Sequence, residues 1–198
     1  MRPRRIRTPH GPARAHLHPA DDPQAVLVLG HGAGGGVTAP DLVGVADAAV
    51  ARGISVVLVE QPYRVAGRRS PAPAAQLDAA WTAVLERLDF PGLPLYCGGR
   101  SSGARVACRT AAATGARAVL CLAFPVHPPG RPEKSRLDEL DSVKVPVLVV
   151  QGDRDPFGMP PRRRGRRLLV VEGDHSLRKG VASFAQAAAD WLVSLHGA

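Results

Sequence analysis

Gly99-Arg100-Ser101-Ser102-Gly103 lies between an apolar run and an alanine-rich segment of helical character, and its reading decides how the rest of the chain is arranged. A serine on a sharp strand-to-helix turn takes strained backbone angles. Its neighbours two positions either side must then be glycine or similarly small to avoid collision. Both are glycine here. Ser101 directly follows a predicted strand ending near Gly98. It precedes Ser102 to Ala107, whose small residues at 103, 104 and 107 let a helix come close to a sheet. In a chain with 21 glycines the pentapeptide alone can arise by chance, so its weight depends on its surroundings.

Outward from this turn, apolar and β-branched runs of four to seven residues alternate with longer alanine- and leucine-rich segments. That is the pattern of a parallel sheet with crossover helices, an α/β fold with helices on both faces. Strands are predicted near 25–30, 54–60, 94–98, 117–123, 145–151 and 167–171, and helices over Asp41–Arg52, Ala74–Leu88, Ser102–Ala113 and Gly180–Leu195. The near-continuous hydrophobicity of the strands predicts burial on both faces. The whole chain, 1–198, reads as one domain, with 1–24 either an antiparallel edge, centred on 3–18, or a flexible N-terminal arm. Tyr63–Pro73 and Pro125–Asp141, rich in proline, arginine and glycine, read as surface loops. Neither is long enough for a cap domain, so an open, shallow site is expected.

Bulk properties narrow the functional class. With 198 residues, 45% hydrophobic and 22% charged, the chain has ordinary globular composition. Its apolar stretches fall far short of the roughly 20 residues that span a bilayer. The basic N-terminus lacks a following apolar region, so no secretory signal is read and a cytoplasmic protein is expected. Cys97, Cys108 and Cys121 lack metal-ligand or redox spacing and read as small core residues. Net charge is +9, but only Lys134, Lys144 and Lys179 among the 26 basic residues are lysine, a bias that a GC-rich genome would also produce. The run Arg162-Arg163-Arg164-Gly165-Arg166-Arg167 carries no interleaved aromatics, so it reads as a solvated face and no nucleic-acid partner is expected. No membrane partner is expected either, and the oligomeric state is left open.

A serine hydroxyl needs a base and a carboxylate to orient that base. His175, in the polar loop between the last strand and last helix, is the candidate base. Asp155, just after a buried strand, is the candidate acid, with Asp153 two residues earlier as the alternative. Loops at the carboxyl ends of parallel strands are where functional residues gather. An oxyanion hole needs backbone N–H donors. The Ser102 N–H supplies one, and the loop His31-Gly32-Ala33-Gly34-Gly35-Gly36 the other, through Ala33 with Gly34 next. A phosphate-binding reading of that loop fails for want of the Walker pattern and of any nearby lysine.

With glycine loop, serine, aspartate and histidine in this order, the chain resembles the α/β-hydrolase superfamily from His31 to Ser176. More narrowly it is similar to the compact, capless branch related to dienelactone hydrolases and to the testis-expressed and NSL-complex hydrolase-like proteins. Gln61-Pro62-Tyr63-Arg64-Val65-Ala66-Gly67-Arg68, the serine pentapeptide and Gly152-Asp153-Arg154-Asp155-Pro156-Phe157-Gly158 carry that likeness. The resemblance implies a serine hydrolase with Ser101, Asp155 and His175 as its triad, acting on a carboxylic ester or related acyl substrate without metal or organic cofactor. The alternative is a non-catalytic interaction module on the same fold. Met159–Arg167, with Pro160-Pro161 and five arginines, stands where the family usually has a helix, so a looser loop around Asp155 is expected. Arg64, Arg68, Arg69, Arg100 and Arg154 flank the motif loops and either favour an acidic small-molecule substrate or are solvated surface charges.

Overall fold

The computed structural model describes residues 3–196. Eight strands form one sheet in the order β1-β2-β4-β3-β5-β6-β7-β8. The core strands β3 (Ala25–Gly30), β4 (Ile54–Glu60), β5 (Leu95–Arg100), β6 (Ala118–Leu122), β7 (Val147–Gly152) and β8 (Arg166–Val171) are mutually parallel. Every residue of β3, β6 and β7 is buried, as continuous apolar runs in a sheet covered on both faces require. β1 (Arg4–Thr8) and β2 (Gly11–His18) form an antiparallel hairpin that β2 joins to β4. Ile6, Ala13 and Ala15 face the core while Arg5, Arg7 and Arg14 face out. The arginines of β1 blunt an edge strand that would otherwise present free backbone groups.

Helices α1 (Pro40–Val50) and α6 (Val181–Val193) cover one face, where Phe184 of α6 joins Leu27, Leu29 and Leu120 in one apolar cluster. Helices α3 (Ala74–Leu85), α4 (Ser102–Thr110) and α5 (Leu137–Asp141) cover the other, where Trp81 of α3 joins Val119, Cys121 and Phe124 in a second apolar cluster. Burying such a side chain fully stabilises the fold by about 1.5–3 kcal/mol. All three cysteines are buried free thiols, and burial pushes the Cys97 thiol up to about 12. No helix among the described residues is long and apolar enough to cross a membrane.

Several expectations need correction. β5 runs two residues past 94–98, to Arg100, so the strand delivers the chain directly to Ser101. The helices stop two to three residues short of their predicted ends. The two stretches read as surface loops each overlap a helix, α2 (Pro62–Val65) at the start of the first and α5 at the end of the second, both too short to show a 3.6-residue period. α2 starts with proline at its first position and buries Tyr63. α5 is bound to α4 by a bidentate Arg105–Glu139 pair at 2.7 and 2.6 Å, and α4 to α3 by a bidentate Arg109–Asp78 pair at 2.8 and 2.6 Å.

The arginine run is not uniformly a solvated face. Arg166 is 8% exposed; its guanidinium pairs with Asp141 and donates to the Pro161 carbonyl at 3.2 Å. Arg163 reaches the other Asp141 oxygen at 2.6 Å. Arg162, Arg164 and Arg167 remain exposed.

Candidate active site

Parallel strands end on the same edge of the sheet, so their following loops meet there. β5 delivers Ser101, β7 delivers Asp155, β8 delivers His175, and β3 delivers the loop from His31 to Gly36. Ser101 sits at φ 52°, ψ −108°, a conformation non-glycine residues avoid, and its N–H donates to the Leu122 carbonyl at 2.9 Å. The flanking glycines serve packing against β3. A Cβ on Gly99 would lie 2.5 Å from the Gly30 oxygen, and one on Gly103 would lie 2.5 Å from the Gly30 carbonyl carbon. Only glycine lets the elbow press backbone to backbone against the neighbouring strand.

The His175 Nε2 lies 2.8 Å from Ser101 Oγ, and its Nδ1 lies 2.8 Å from Asp155 Oδ2. A carboxylate beside Nδ1 fixes the proton there, leaving Nε2 as acceptor of the serine hydroxyl. Phe157 stacks on the imidazole, ring centroids 4.0 Å apart. The Asp155 side chain is wholly buried, that of His175 is 17% exposed, and Ser101 is half-buried.

Asp155 is pinned, not loose. Its Oδ1 accepts the Phe157 N–H at 2.8 Å, and its Oδ2 also accepts the Gln151 amide at 2.8 Å. That amide further donates to the Phe124 carbonyl at 3.2 Å and the Gly158 carbonyl at 2.9 Å. No helix forms between β7 and β8, and Gln151 makes this tolerable by fixing the acid from beneath. Asp153 instead accepts the Gly173 N–H at 2.8 Å and so holds the start of the histidine loop. Asp174 caps the turn through the Ser176 N–H and hydroxyl, and the Ser176 hydroxyl holds its carboxyl below the usual carboxylate range.

The loop from β3 lies against the nucleophile: a Cβ on Gly32 would be 3.6 Å from Ser101 Cβ. His31, buried, has Nε2 accepting the Gln61 N–H at 3.1 Å, so its Nδ1 carries the proton and donates to the Gly32 carbonyl at 2.8 Å. Tyr63 donates its hydroxyl to the Ala33 carbonyl at 2.8 Å; burial raises that hydroxyl to about 12, so it stays protonated. With both carbonyls held, the Ala33 and Gly34 N–H groups are left without an acceptor among the described residues. Ser102, first residue of α4, has its N–H free for the same edge because no earlier helical turn accepts it. Segments 61–73 and 123–136 on this edge contain only α2 and no inserted domain.

Sequence reading missed Gln151, Tyr63 and the ring of His31. The one available signal for Gln151 was a polar residue closing an otherwise apolar run. A Tyr63→Phe variant is expected to lose about 1 kcal/mol of loop anchoring. On a cleaved ester kcat should then fall roughly fivefold to tenfold with KM unchanged. Burial also holds the His31 imidazole below its ordinary value of 6.5. The unfolded chain therefore binds this proton more readily. Its contribution to stability is complete above pH 6.5 and is lost as pH falls below it. Unfolding midpoints measured from neutral to mildly acidic pH should fall less steeply in His31→Asn than in wild type.

A half-buried serine on a strained strand-to-helix turn, joined to histidine and buried aspartate at the carboxyl edge of a mostly parallel sheet, defines the α/β-hydrolase class of fold. Residues 23–192 match the family model described as the alpha/beta hydrolase domain. The chain belongs to that family. Its fold is the capless form. It superposes on a lidless α/β serine hydrolase from Xanthomonas campestris with TM-score 0.77 at 22% identity, covering 98% of this chain and 93% of that one. It is similar to Est1E from Butyrivibrio proteoclasticus at TM-score 0.78 and 16% identity, covering 99% of each chain. Dienelactone hydrolase from Anabaena variabilis gives TM-score 0.74 at 18% identity, covering 98% of this chain and 99% of that one.

Proposed function

We propose that this protein is a serine hydrolase acting on a carboxylic ester or related acyl substrate. The observation that carries the reading is the unbroken chain of 2.8 Å contacts from Ser101 Oγ through both His175 nitrogens to Asp155. Ser101 Oγ attacks the substrate carbonyl as His175 Nε2 takes its proton, while Asp155 holds the Nδ1–H tautomer and stabilises the imidazolium that forms. The tetrahedral oxyanion is received by the N–H groups of Ala33 and Ser102, each worth about 2.7–4 kcal/mol in the transition state. His175 returns the proton to the leaving group, giving an acyl-enzyme, and then activates water to release the acid. Phe157, stacked on the imidazole, keeps the ring in the plane this proton relay requires.

The substrate is a small molecule reached through an open face. Among the flanking arginines, Arg100 pairs with Asp41 and Arg154 with Asp153 and Glu172, whereas Arg64, Arg68 and Arg69 make no ion pair among the described residues. These three favour an acyl substrate with an acidic group.

Incubation with a fluorophosphonate probe, followed by a panel of esters and thioesters, tests the reading. Labelling of wild type and none of Ser101→Ala is expected. A folded wild type that neither labels nor cleaves any member of the panel would leave the non-catalytic module as the better account.

A further inference from the structure

We infer that Arg100, through its ion pair with Asp41, is a positioning residue that locks the histidine loop to the nucleophile turn. This rests on the catalytic reading of Ser101 and His175 given above. Arg100 immediately precedes the nucleophile, yet its side chain turns inward and is 17% exposed. Its Nε lies 2.8 Å from Asp41 Oδ2 in the first turn of α1, and Asp41 is 1% exposed. Its Nη2 donates to the His175 carbonyl at 3.0 Å. Its Nη1 occupies the space a side chain at position 32 would take, 3.0 Å from where a Gly32 Cβ would stand.

One planar group thus touches α1, the oxyanion loop and the backbone of the proposed base. A point charge on a flexible stem could not reach three sites at once, and arginine's rigid fork can. The roles of the two partners are unequal. Burial pushes the Asp41 carboxyl above its usual range, and the Arg100 guanidinium offsets only part of that push. Asp41 also accepts the Leu42 N–H at 3.0 Å, which anchors it in the helix. Arg100, held from that side, fixes the distance between the β5 turn and the loop that presents His175. The imidazole can rotate about its own side-chain bonds, but its backbone origin is set by this contact. With its guanidinium engaged by Asp41 and by the His175 carbonyl, Arg100 is not a receptor for a substrate anion.

Arg100→Met, Arg100→Lys and Asp41→Asn provide the test, each with its thermal midpoint measured alongside. On an ester that wild type cleaves, Arg100→Met is expected to lower kcat by roughly 10- to 100-fold, the scale of a small misplacement of a reacting group. KM should stay within about twofold, because no substrate contact is removed. Arg100→Lys should recover only part of the loss, since an ammonium can meet Asp41 or the His175 carbonyl but not both. Asp41→Asn should lower kcat too, and the Asp41→Asn/Arg100→Met pair should be no worse than its poorer single variant. Proton NMR supplies a readout independent of turnover: the far-downfield Nδ1–H resonance of His175 against Asp155 should be sharp in wild type and broadened or lost in Arg100→Met and Asp41→Asn. Folded Arg100→Met with wild-type kcat and an unchanged resonance would overturn the inference. If wild type cleaves nothing, the functional reading falls, and the resonance still upholds or overturns the positioning role. Should Arg100→Met not fold, Arg100→Lys and Asp41→Asn carry the same two readouts.

Discussion

Ser101→Ala is expected to remove fluorophosphonate labelling completely and to lower ester hydrolysis by about 10⁴- to 10⁶-fold while leaving the unfolding midpoint nearly unchanged. Loss of function without loss of fold follows from the local geometry. Alanine and serine suffer the same backbone penalty at φ 52°, so the strain of the turn is not altered. The Ser101 N–H still donates to Leu122, and the Ser101 carbonyl still accepts the Arg105 N–H at 3.2 Å. What disappears is one hydroxyl and its contact with His175. Asp155→Asn should behave differently. Its carboxylate accepts three donors, from Gln151, Phe157 and His175, and an amide can satisfy them only by turning an N–H₂ toward one of them. If that donor faces Nδ1, the histidine adopts the wrong tautomer and kcat falls by about 10⁴-fold. Activity assayed against pH with midpoints recorded in parallel separates the two variants. Full labelling of Ser101→Ala would place the nucleophile elsewhere.

How far the sequence discloses such a site depends on whether a residue's role is local. Ser101 was legible because glycines two positions away on either side and a strand-to-helix transition are neighbours in the chain. Asp155 and His175 were legible as polar residues just past buried strands, where the topology of parallel sheets gathers loops, and the structure brings His175 within hydrogen-bond reach of the serine and Asp155 within reach of His175. The reason for the glycines was not legible, because the atoms they avoid belong to Gly30, about seventy residues earlier. Arg100 was seen only as one of several flanking charges; its partner Asp41 lies in a different helix, and nothing in composition or spacing pairs them. The arginine run misled for the same reason. Alternation in β8 turns Arg166 inward onto Asp141 while Arg167 stays exposed, and that distinction exists only once the strand has a register. Short helices escaped because four or five residues hold barely one turn.

The largest expected loss of stability comes from one added methyl. Gly103 lies in the first turn of α4 at an ordinary helical conformation, where alanine by intrinsic preference would stabilise the helix by about 1 kcal/mol. Packing reverses the sign. The new Cβ would stand 2.5 Å from the Gly30 carbonyl carbon and 3.0 Å from its Cα, all backbone atoms of a strand held on both sides by β4 and β5. No rotamer relieves a clash between two backbones, so α4 must move off β3 or β3 must leave its register. Overpacking of this kind costs about 1–3 kcal/mol and more where nothing flexible can give. That is a large share of a total stability of about 5–15 kcal/mol. Denaturant titration of Gly103→Ala should show a lowered midpoint with little change in slope, and Gly103→Val should fail to fold. Gly36→Ala is the control: nothing lies within 4 Å of its added Cβ, so its midpoint should stay within about 0.5 kcal/mol of wild type. Since Ser101 sits two residues before Gly103, whatever Gly103→Ala retains of its fold should carry a displaced nucleophile, and its labelling rate should drop further than its stability alone accounts for. A Gly103→Ala protein as stable and as reactive as wild type would mean that the serine turn does not depend on its close seat against β3.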